Sequence, residues 1–506
     1  ILPKPDLDTR NLVKQAYAKV RPLKIVSTFS RERVPLLRHE MEMEKDPGKK
    51  LNKQFEYAFE LLKEGNIEDA LNTYDNGIKY IVNNHIPIDA ENQRNLYTVL
   101  GIALMRKGEQ ENCVQNHNHQ SCFIPIAGDG IHKLQEGSRG AIAQFEKSLE
   151  VYPNDPETEY LLNLAYMTLG EYPDQVPAKW RIPTAWFSNK IKMQPFQDVA
   201  PELGINRNGH AGGVIMDDFD NDGWLDLMIT SWTHDDPMIY YHNNGDGTFS
   251  DWTTQAGLAG QDGSLDLNQT DFNNDGFLDI LIMRGAWLNT EGDIPKTLLM
   301  NTGKGTFKDV TIKAGLTHDA PSQASAWADF NLDGWLDLVV ANESLHDLNR
   351  GIDLYINQKD GTFKLESNEW GLTQNSFFKG VVAVDVNNDR YPDLYFSSLT
   401  APNLLLINHG YEGKNIFQPM PNMAIVGAPE KSFPCWNFDY DNDGNEDIFV
   451  SAYSNDKSPA TMWMEGHTTK PNMEYTPKLY HNKGQLQFEE VGSAMGLNEV
   501  AYTMGC

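Results

Sequence analysis

Five nine-residue segments place aspartates where the ligands of a hard cation would stand. They follow the pattern D-x-[DN]-x-D-x-x-x-D and run Asp218–Asp226, Asp271–Asp279, Asp329–Asp337, Asp385–Asp393 and Asp439–Asp447. Side-chain oxygens at positions 1, 3, 5 and 9, with a backbone carbonyl at position 7, make an all-oxygen donor set, and glycine at position 6 permits a sharp turn. The candidate ligands of the first loop are Asp218, Asp220, Asp222, the Trp224 carbonyl and Asp226. Those of the second are Asp271, Asn273, Asp275, Phe277 and Asp279, and of the third Asp329, Asn331, Asp333, Trp335 and Asp337. The fourth offers Asp385, Asn387, Asp389, Tyr391 and Asp393, and the fifth Asp439, Asp441, Asp443, Asn445 and Asp447.

This is the first part of an EF-hand loop, but an apolar run stands where its closing Glu would be. The loops are therefore expected between strands rather than helices. Oxygen donors without nitrogen or sulfur favour Ca²⁺, with Mg²⁺ second. The five loops carry 17 aspartates, and five Ca²⁺ (five times +2) would bring the formal charge from −29 to −19. Without metal these carboxylates repel one another, so folding is expected to depend on calcium. The fourth loop departs from the pattern, with Arg390 at position 6 and Pro392 at position 8. Read blandly, Asp-Gly segments are only polar turns, but five in register argue against that.

A second group lies upstream: Cys113, His117, His119 and Cys122, followed by His132. Two cysteines and two or three histidines suit a tetrahedral zinc or a copper site. The spacing is neither that of a zinc finger nor the C-x-x-C-H of haem attachment. A Cys113–Cys122 disulfide in an oxidising compartment accounts for the cysteines equally well, and both readings stand. Cys435 and Cys506 occupy equivalent positions in successive repeats, where adjacent inner strands usually diverge beyond the ~7 Å a disulfide tolerates. No G-x-S-x-G, P-loop or H-E-x-x-H signature occurs.

The elements that must position these residues are repeats. The first residues of successive loops are 53, 58, 56 and 54 positions apart. Each loop is followed by a strand-like run (LMITSW, ILIM, LVVAN, LYFSS, IFVSAY), then by N-x-G-x-G-T-F or a relative at Asn243, Asn301, Asn357 and Asn482. The fourth repeat has only Asn408-His409-Gly410. Short strands with turn signals at this interval read as one four-stranded blade per repeat, and blades must stack to bury both faces. A β-propeller is the simplest closed solution, and a linear solenoid is the alternative. Residues 488–506 open a sixth repeat, so the protein is expected to continue beyond Cys506.

Ahead of the repeats the period is helical. Residues 54–80 read as helix-turn-helix, with Gly65, Ala70 and Tyr74 placed as in a tetratricopeptide (TPR) repeat. A second copy from Asn95 carries Gly101 and Gly108, is interrupted at about 113–140, and resumes at Ala141; a third first-helix runs over 156–169. The expected organisation is an extension (1–50), a TPR-like helical domain (51–180), a linker (181–195) and a β-propeller (196–506). The fold class is thus multidomain, α plus all-β. The net charge of −29 disfavours nucleic acid as a partner, and no stretch approaches the ~18 apolar residues of a membrane helix. Residues 1–5 lack the basic start and apolar core of a leader, though a processed N-terminus reads the same way.

The loops, their Asp-Leu strand starts and the N-x-G-D-G-T-F turns resemble the FG-GAP/VCBS repeats of integrin-α-type propellers. The order F-x-D-V, A-G-L, D-x-N-x-D-G is closer still to bacterial relatives of cartilage acidic protein, of the ASPIC/UnbV type. That resemblance, over about residues 193–506, implies a secreted, periplasmic or surface-exposed calcium-binding propeller of bacterial source, used for binding. Protein partners are expected on the TPR helices and the propeller, and a membrane-associated complex is compatible with this. Two alternatives stand: a metal-dependent enzyme or enzyme subunit built on the Cys/His insertion, and adhesion to glycan or matrix through Trp232, Trp252, Trp287 and Trp370.

Overall fold

The computed structural model describes residues 8–20, 30–115, 120, 124–188, 196–207, 209–344, 350–410, 416–453, 456–469, 472–500 and 503. The chain divides into two compact units. One comprises residues 1–23, 200–456 and 471–506, and the other residues 24–199 and 457–470.

The helical unit contains α2 (Ser30–Met43), α3 (Pro47–Glu64), α4 (Ile67–Asn83), α5 (Ala90–Glu109), α6 (Glu136–Val151) and α7 (Pro156–Thr168), while α1 (Thr9–Val20) belongs to the other unit. α3 starts behind Asp46, whose side chain accepts from the Lys49 N–H, and ends at Gly65 in the left-handed region. α5 begins at Ala90, five residues before Asn95, because Asp89 caps it by accepting from the Asn92 N–H (2.8 Å). α5 and α6 approach closely through small residues: a Cβ on Gly137 would stand 2.6 Å from the Gly108 nitrogen, and one on Gly101 would strike the Phe145 ring. Ala70 and Tyr74 are buried, as their place between two helices requires. Past α5 the chain makes a π-helical turn over Gln110–Val114. Asn112 ties that turn to Leu134 through two hydrogen bonds of 2.8 Å.

The other unit holds α8 (Ala200–Leu203), α9 (Thr311–Ala314) and five antiparallel sheets, each of four strands hydrogen-bonded in chain order. The first is β1 (Val214–Asp217), β2 (Asp226–Ile229), β3 (Ile239–Asn243) and β4 (Phe249–Asp251); the second is β5 (Asp266–Thr270), β6 (Asp279–Met283), β7 (Thr297–Asn301) and β8 (Phe307–Asp309). The third is β9 (Ser322–Ala328), β10 (Asp337–Asn342), β11 (Ile352–Asn357) and β12 (Phe363–Leu365). The fourth is β13 (Phe378–Val384), β14 (Asp393–Ser398), β15 (Leu404–Asn408) and β16 (Phe417–Pro419); the fifth is β17 (Ser432–Phe438), β18 (Asp447–Ala452), β19 (Lys478–Asn482) and β20 (Phe488–Glu490). One helix, α10 (Pro459–Thr468), lies between β18 and β19 in sequence but belongs to the helical unit.

The apolar runs form the second strands, and those of the middle sheets, β6, β10 and β14, are buried along their whole length. Strands covered on both faces lose the polar alternation of a half-exposed sheet. Each core cluster draws on two successive sheets: Met228 with Ile280, Leu281 with Leu338, Val339 with Leu394, and Tyr395 with Ile448. The first strands also neighbour one another in order, β1 beside β5, β5 beside β9, β9 beside β13 and β13 beside β17. The molecule is therefore α plus all-β. Trp370, a candidate sugar-stacking residue, is instead 1 % exposed and packed in the core between the third and fourth sheets, as its large apolar ring favours. Among the described residues no helix is long and apolar enough to cross a membrane.

Candidate metal centres in the repeat loops

Each aspartate-rich loop joins the first strand of a sheet to the second, and its position-9 aspartate is the first residue of that second strand. One hydrogen-bond pattern recurs. The position-1 carboxylate accepts from the backbone N–H groups of positions 5 and 6: Asp218 from Asp222 and Gly223, Asp271 from Asp275 and Gly276, Asp329 from Asp333 and Gly334. Asp439 accepts likewise from Asp443 and Gly444. In the fourth loop Arg390 takes the glycine's role, with φ +77° and its N–H donated to Asp385 at 2.7 Å. The turn survives the substitution, at a backbone cost of about 1–2 kcal/mol. The position-5 carboxylate caps the turn by accepting from the N–H of position 7, as Asp222 does from Trp224 (2.8 Å).

Position 9 is the buried end. Asp226, Asp279, Asp337, Asp393 and Asp447 have no exposed surface. Each accepts from the N–H of loop position 2 and from the N–H of the third-strand asparagine; for Asp337 the donors are Phe330 (3.2 Å) and Asn357 (2.8 Å). Burial pushes Asp279 up to about 8, and Asp337 and Asp393 up to about 7. A carboxyl buried in this way is ionised at neutral pH only with a cation beside it. Asp220 adds an oxygen that is buried without a hydrogen-bond partner among the described residues. In the first loop one oxygen each of Asp218, Asp220 and Asp226 lies within 4.8 Å of the others, and in the fifth so do oxygens of Asp439, Asp441 and Asp443. This donor chemistry fits a hard dication. In loops two to four position 3 is an asparagine, whose carbonyl accepts from the position-5 N–H, as Asn273 does from Asp275 (3.0 Å). Lys359 Nζ sits 3.3 Å from Asp333 in the third loop.

The asparagine that ends each third strand does work that its sequence signature did not disclose. In the second to fifth repeats its side-chain amide spans two sheets, whereas Asn243 of the first bonds Leu225 within its own repeat. Asn301 donates to the carbonyl of Phe219 in the preceding loop (2.7 Å) and to Leu278 in its own repeat. Asn357 reaches Phe272, Asn408 reaches Phe330, and Asn482 reaches Val386 in the same way. His242 and His481 also reach the loops, though no loop position marks them. Each directly precedes such an asparagine, so Tyr-His-Asn at 241–243 and 480–482 was the available signal. His242 Nδ1 lies 3.2 Å from Asp226 Oδ1, and His481 Nδ1 lies 3.2 Å from Asp447 Oδ1.

Two further places hold chemistry. A cavity of about 570 Å³ is lined by first-strand residues of four sheets, among them Asp266, Gln323, Lys379, Cys435 and Trp436. Burial raises Asp266 to about 7 and lowers Lys379 to about 8. Lys379 Nζ is paired with a fully buried Glu343 carboxylate and stands 3.3 Å from the centre of the Trp287 ring. Trp287 follows the second strand of the second sheet, yet stacks on Phe433 of the fifth. In the helical unit, Cys113 Sγ lies 3.5 Å from His132 Nε2. The His132 ring is 2 % exposed, bonds Ser138 through Nδ1 (2.9 Å), and is held toward its neutral form by burial. His117, His119, Cys122 and Cys506 lie outside the described residues.

Comparison with known proteins bears on the sheet unit. The family model for the FG-GAP-like repeat matches residues 196–282 and 329–396. The chain thus carries FG-GAP-like repeats. Cartilage acidic protein 1 of Xenopus tropicalis is 30% identical over 151 residues, 29% of this chain and 22% of that protein. The Homo sapiens protein is 30% identical over 148 residues, 29% of this chain and 21% of its own. The chain spans about a fifth of the length of these relatives. The V. cholerae biofilm matrix protein Bap1 aligns at 13% identity and a TM-score of 0.30, covering 50% of this chain and 36% of its own. AofleA from Arthrobotrys oligospora aligns at 10% identity and 0.29, covering 53% and 68%. Likenesses this low carry no argument about fold or function.

Proposed function

We propose that the sheet unit is a calcium-stiffened β-propeller and that the protein is an extracellular, periplasmic or surface binding and assembly protein. The carrying observation is the position-1 and position-9 hydrogen-bond pattern repeated through all five loops. A cavity walled by first strands of four sheets, and Trp287 reaching from the second repeat to Phe433 in the fifth, support blades set around an axis. About five Ca²⁺ would be held by Asp218, Asp271, Asp329, Asp385 and Asp439 with their loop partners. FG-GAP-like repeats suggest a protein or matrix binding role, and the hairpin-like pairing of α3 with α4 supports TPR-type helices that dock peptides or helices.

Calorimetric unfolding with and without EDTA tests this. The transition of the sheet unit should fall well below its calcium-loaded temperature, while that of the helical unit should stay put. Equal melting in both buffers would remove the role assigned to the loops. A second reading, a metal- or thiol-dependent enzyme subunit, draws on the Cys113–His132 approach. Stoichiometric zinc or copper that is lost in Cys113→Ser would favour it, whereas retention of full metal content in that variant would not.

A further inference from the structure

The five loops differ in a paired way. In the first and fifth, position 3 is an aspartate (Asp220, Asp441), and a histidine (His242, His481) precedes the third-strand asparagine. In the second, third and fourth, position 3 is an asparagine (Asn273, Asn331, Asn387), and the matching residue is Met300, Ile356 or Ile407. The extra carboxylate and the imidazole occur together or not at all.

The geometry brings the two together. His242 Nδ1 lies 3.4 Å from Asp220 Oδ2 and 3.2 Å from Asp226 Oδ1. The ring is 8 % exposed, and neither His242 Nδ1 nor Asp220 Oδ1 has a hydrogen-bond partner among the described residues. Trp252 stacks on the imidazole at 3.8 Å and 24°, which fixes the plane of the ring. Donor atoms of Asp220, Asp222 and His242 all lie within 4.8 Å of one another, and so do those of Asp441, Asp447 and His481. Two ligands each ~2.1 Å from a zinc-sized ion stand roughly 3.0–3.4 Å apart at octahedral or tetrahedral angles. The imidazole-to-carboxylate separations of the first loop fall in that range; in the fifth, His481 Nδ1 is hydrogen-bonded to Asp447 at 3.2 Å and stands farther from Asp441, at 3.8 Å. Ca²⁺ draws its ligands from oxygen at longer distances, and gains nothing from a buried imidazole nitrogen.

We infer that the first and fifth loops are mixed nitrogen–oxygen sites for a first-row transition-metal dication of the Zn²⁺ class. His242 Nδ1 and His481 Nδ1 are ligands there, so the calcium reading narrows from five loops to the three oxygen-only ones, those opened by Asp271, Asp329 and Asp385. This rests on the reading of the loops as cation sites. The rival is that each histidine is only a counter-charge to the added aspartate.

The test uses the full chain, stripped with EDTA, reloaded in excess Ca²⁺ and titrated calorimetrically with Zn²⁺. The comparison variant is Asp220→Asn/His242→Met/Asp441→Asn/His481→Ile, which installs residue pairs the chain already uses in its other loops. The parent should bind two more equivalents of Zn²⁺ than the variant; any Zn²⁺ held by the Cys113 region appears in both and cancels. The reciprocal Asn331→Asp/Ile356→His variant should gain one equivalent. No Zn²⁺ bound by the parent in Ca²⁺, equal counts in parent and variant, or no gain in the reciprocal variant would overturn the inference. Should the fourfold variant fail to fold, the reciprocal variant alone decides. Loss of the calcium-dependent melting shift in the parent is a separate outcome, and would strike the calcium reading instead.

Discussion

Lys379 and Asp266 border one cavity, and burial displaces them in opposite directions. The Lys379–Glu343 pair has no exposed side-chain surface. Such a pair adds little net stability over an apolar pair, but removing one partner strands a buried charge. Lys379→Met should therefore cost about 3–5 kcal/mol, read from urea denaturation. Lys379→Met/Glu343→Leu should recover most of that loss. Asp266 sets a pH dependence. A carboxyl raised in the folded state from 3.8 to about 7 favours folding below its unfolded value, and that contribution is lost as pH rises through about 7. Parent stability should decline from pH 4 to 7 more steeply than that of Asp266→Asn, as measured by denaturation midpoints at each pH. Parallel pH profiles would show that Asp266 is not desolvated.

At the level of strands and loops, the asparagine clasps set how strongly one sheet grips the next. Asn357 is 3 % exposed and closes two backbone carbonyls in different repeats. Asn357→Ala leaves both acceptors wanting, at about 1–3 kcal/mol. Asn243, whose amide bonds Leu225 within its own repeat, should lose less on the same change. Chemical denaturation of the two variants side by side checks the order. The recurring aspartate turn was legible in the sequence because its hydrogen-bonding residues sit within nine positions and one local turn fixes them. The clasps were not, because the partner of Asn357 is 85 residues away. His242 and His481 stood in plain view beside those asparagines, but only the register of β3 on β2 and of β19 on β18 brings their imidazoles to the carboxylates.

For the whole molecule, the formal charge of −29 makes salt a probe of metal occupancy. Raising ionic strength from about 0.01 to 1 M shortens the screening length from ~30 to ~3 Å. The EDTA-treated protein should gain several degrees in melting temperature over that range, and the calcium-loaded protein distinctly less; equal gains would mean that loop repulsion is not what metal relieves. The two-part character was legible from the change of period near residue 190. What belongs to which part was not. α1 opens the chain, yet Thr9 bonds Asp309 (2.7 Å) and Tyr17 bonds Gly263 (3.1 Å), contacts no local pattern encodes.

α10 is the opposite case. It is carried by the fifth repeat, but Trp463 stacks on Phe187 at 4.9 Å and meets Tyr160 edge-on at 5.2 Å. The architecture is therefore not modular at the level of the gene. Expression of residues 200–506 alone would uncover the apolar side of α10, and expression of 24–199 alone would leave Phe187 and Tyr160 without their cover. A fusion or truncation made at the apparent boundary inherits both defects. Excision of the helical part removes two segments, 24–199 and 457–470, and requires a new connection across each gap.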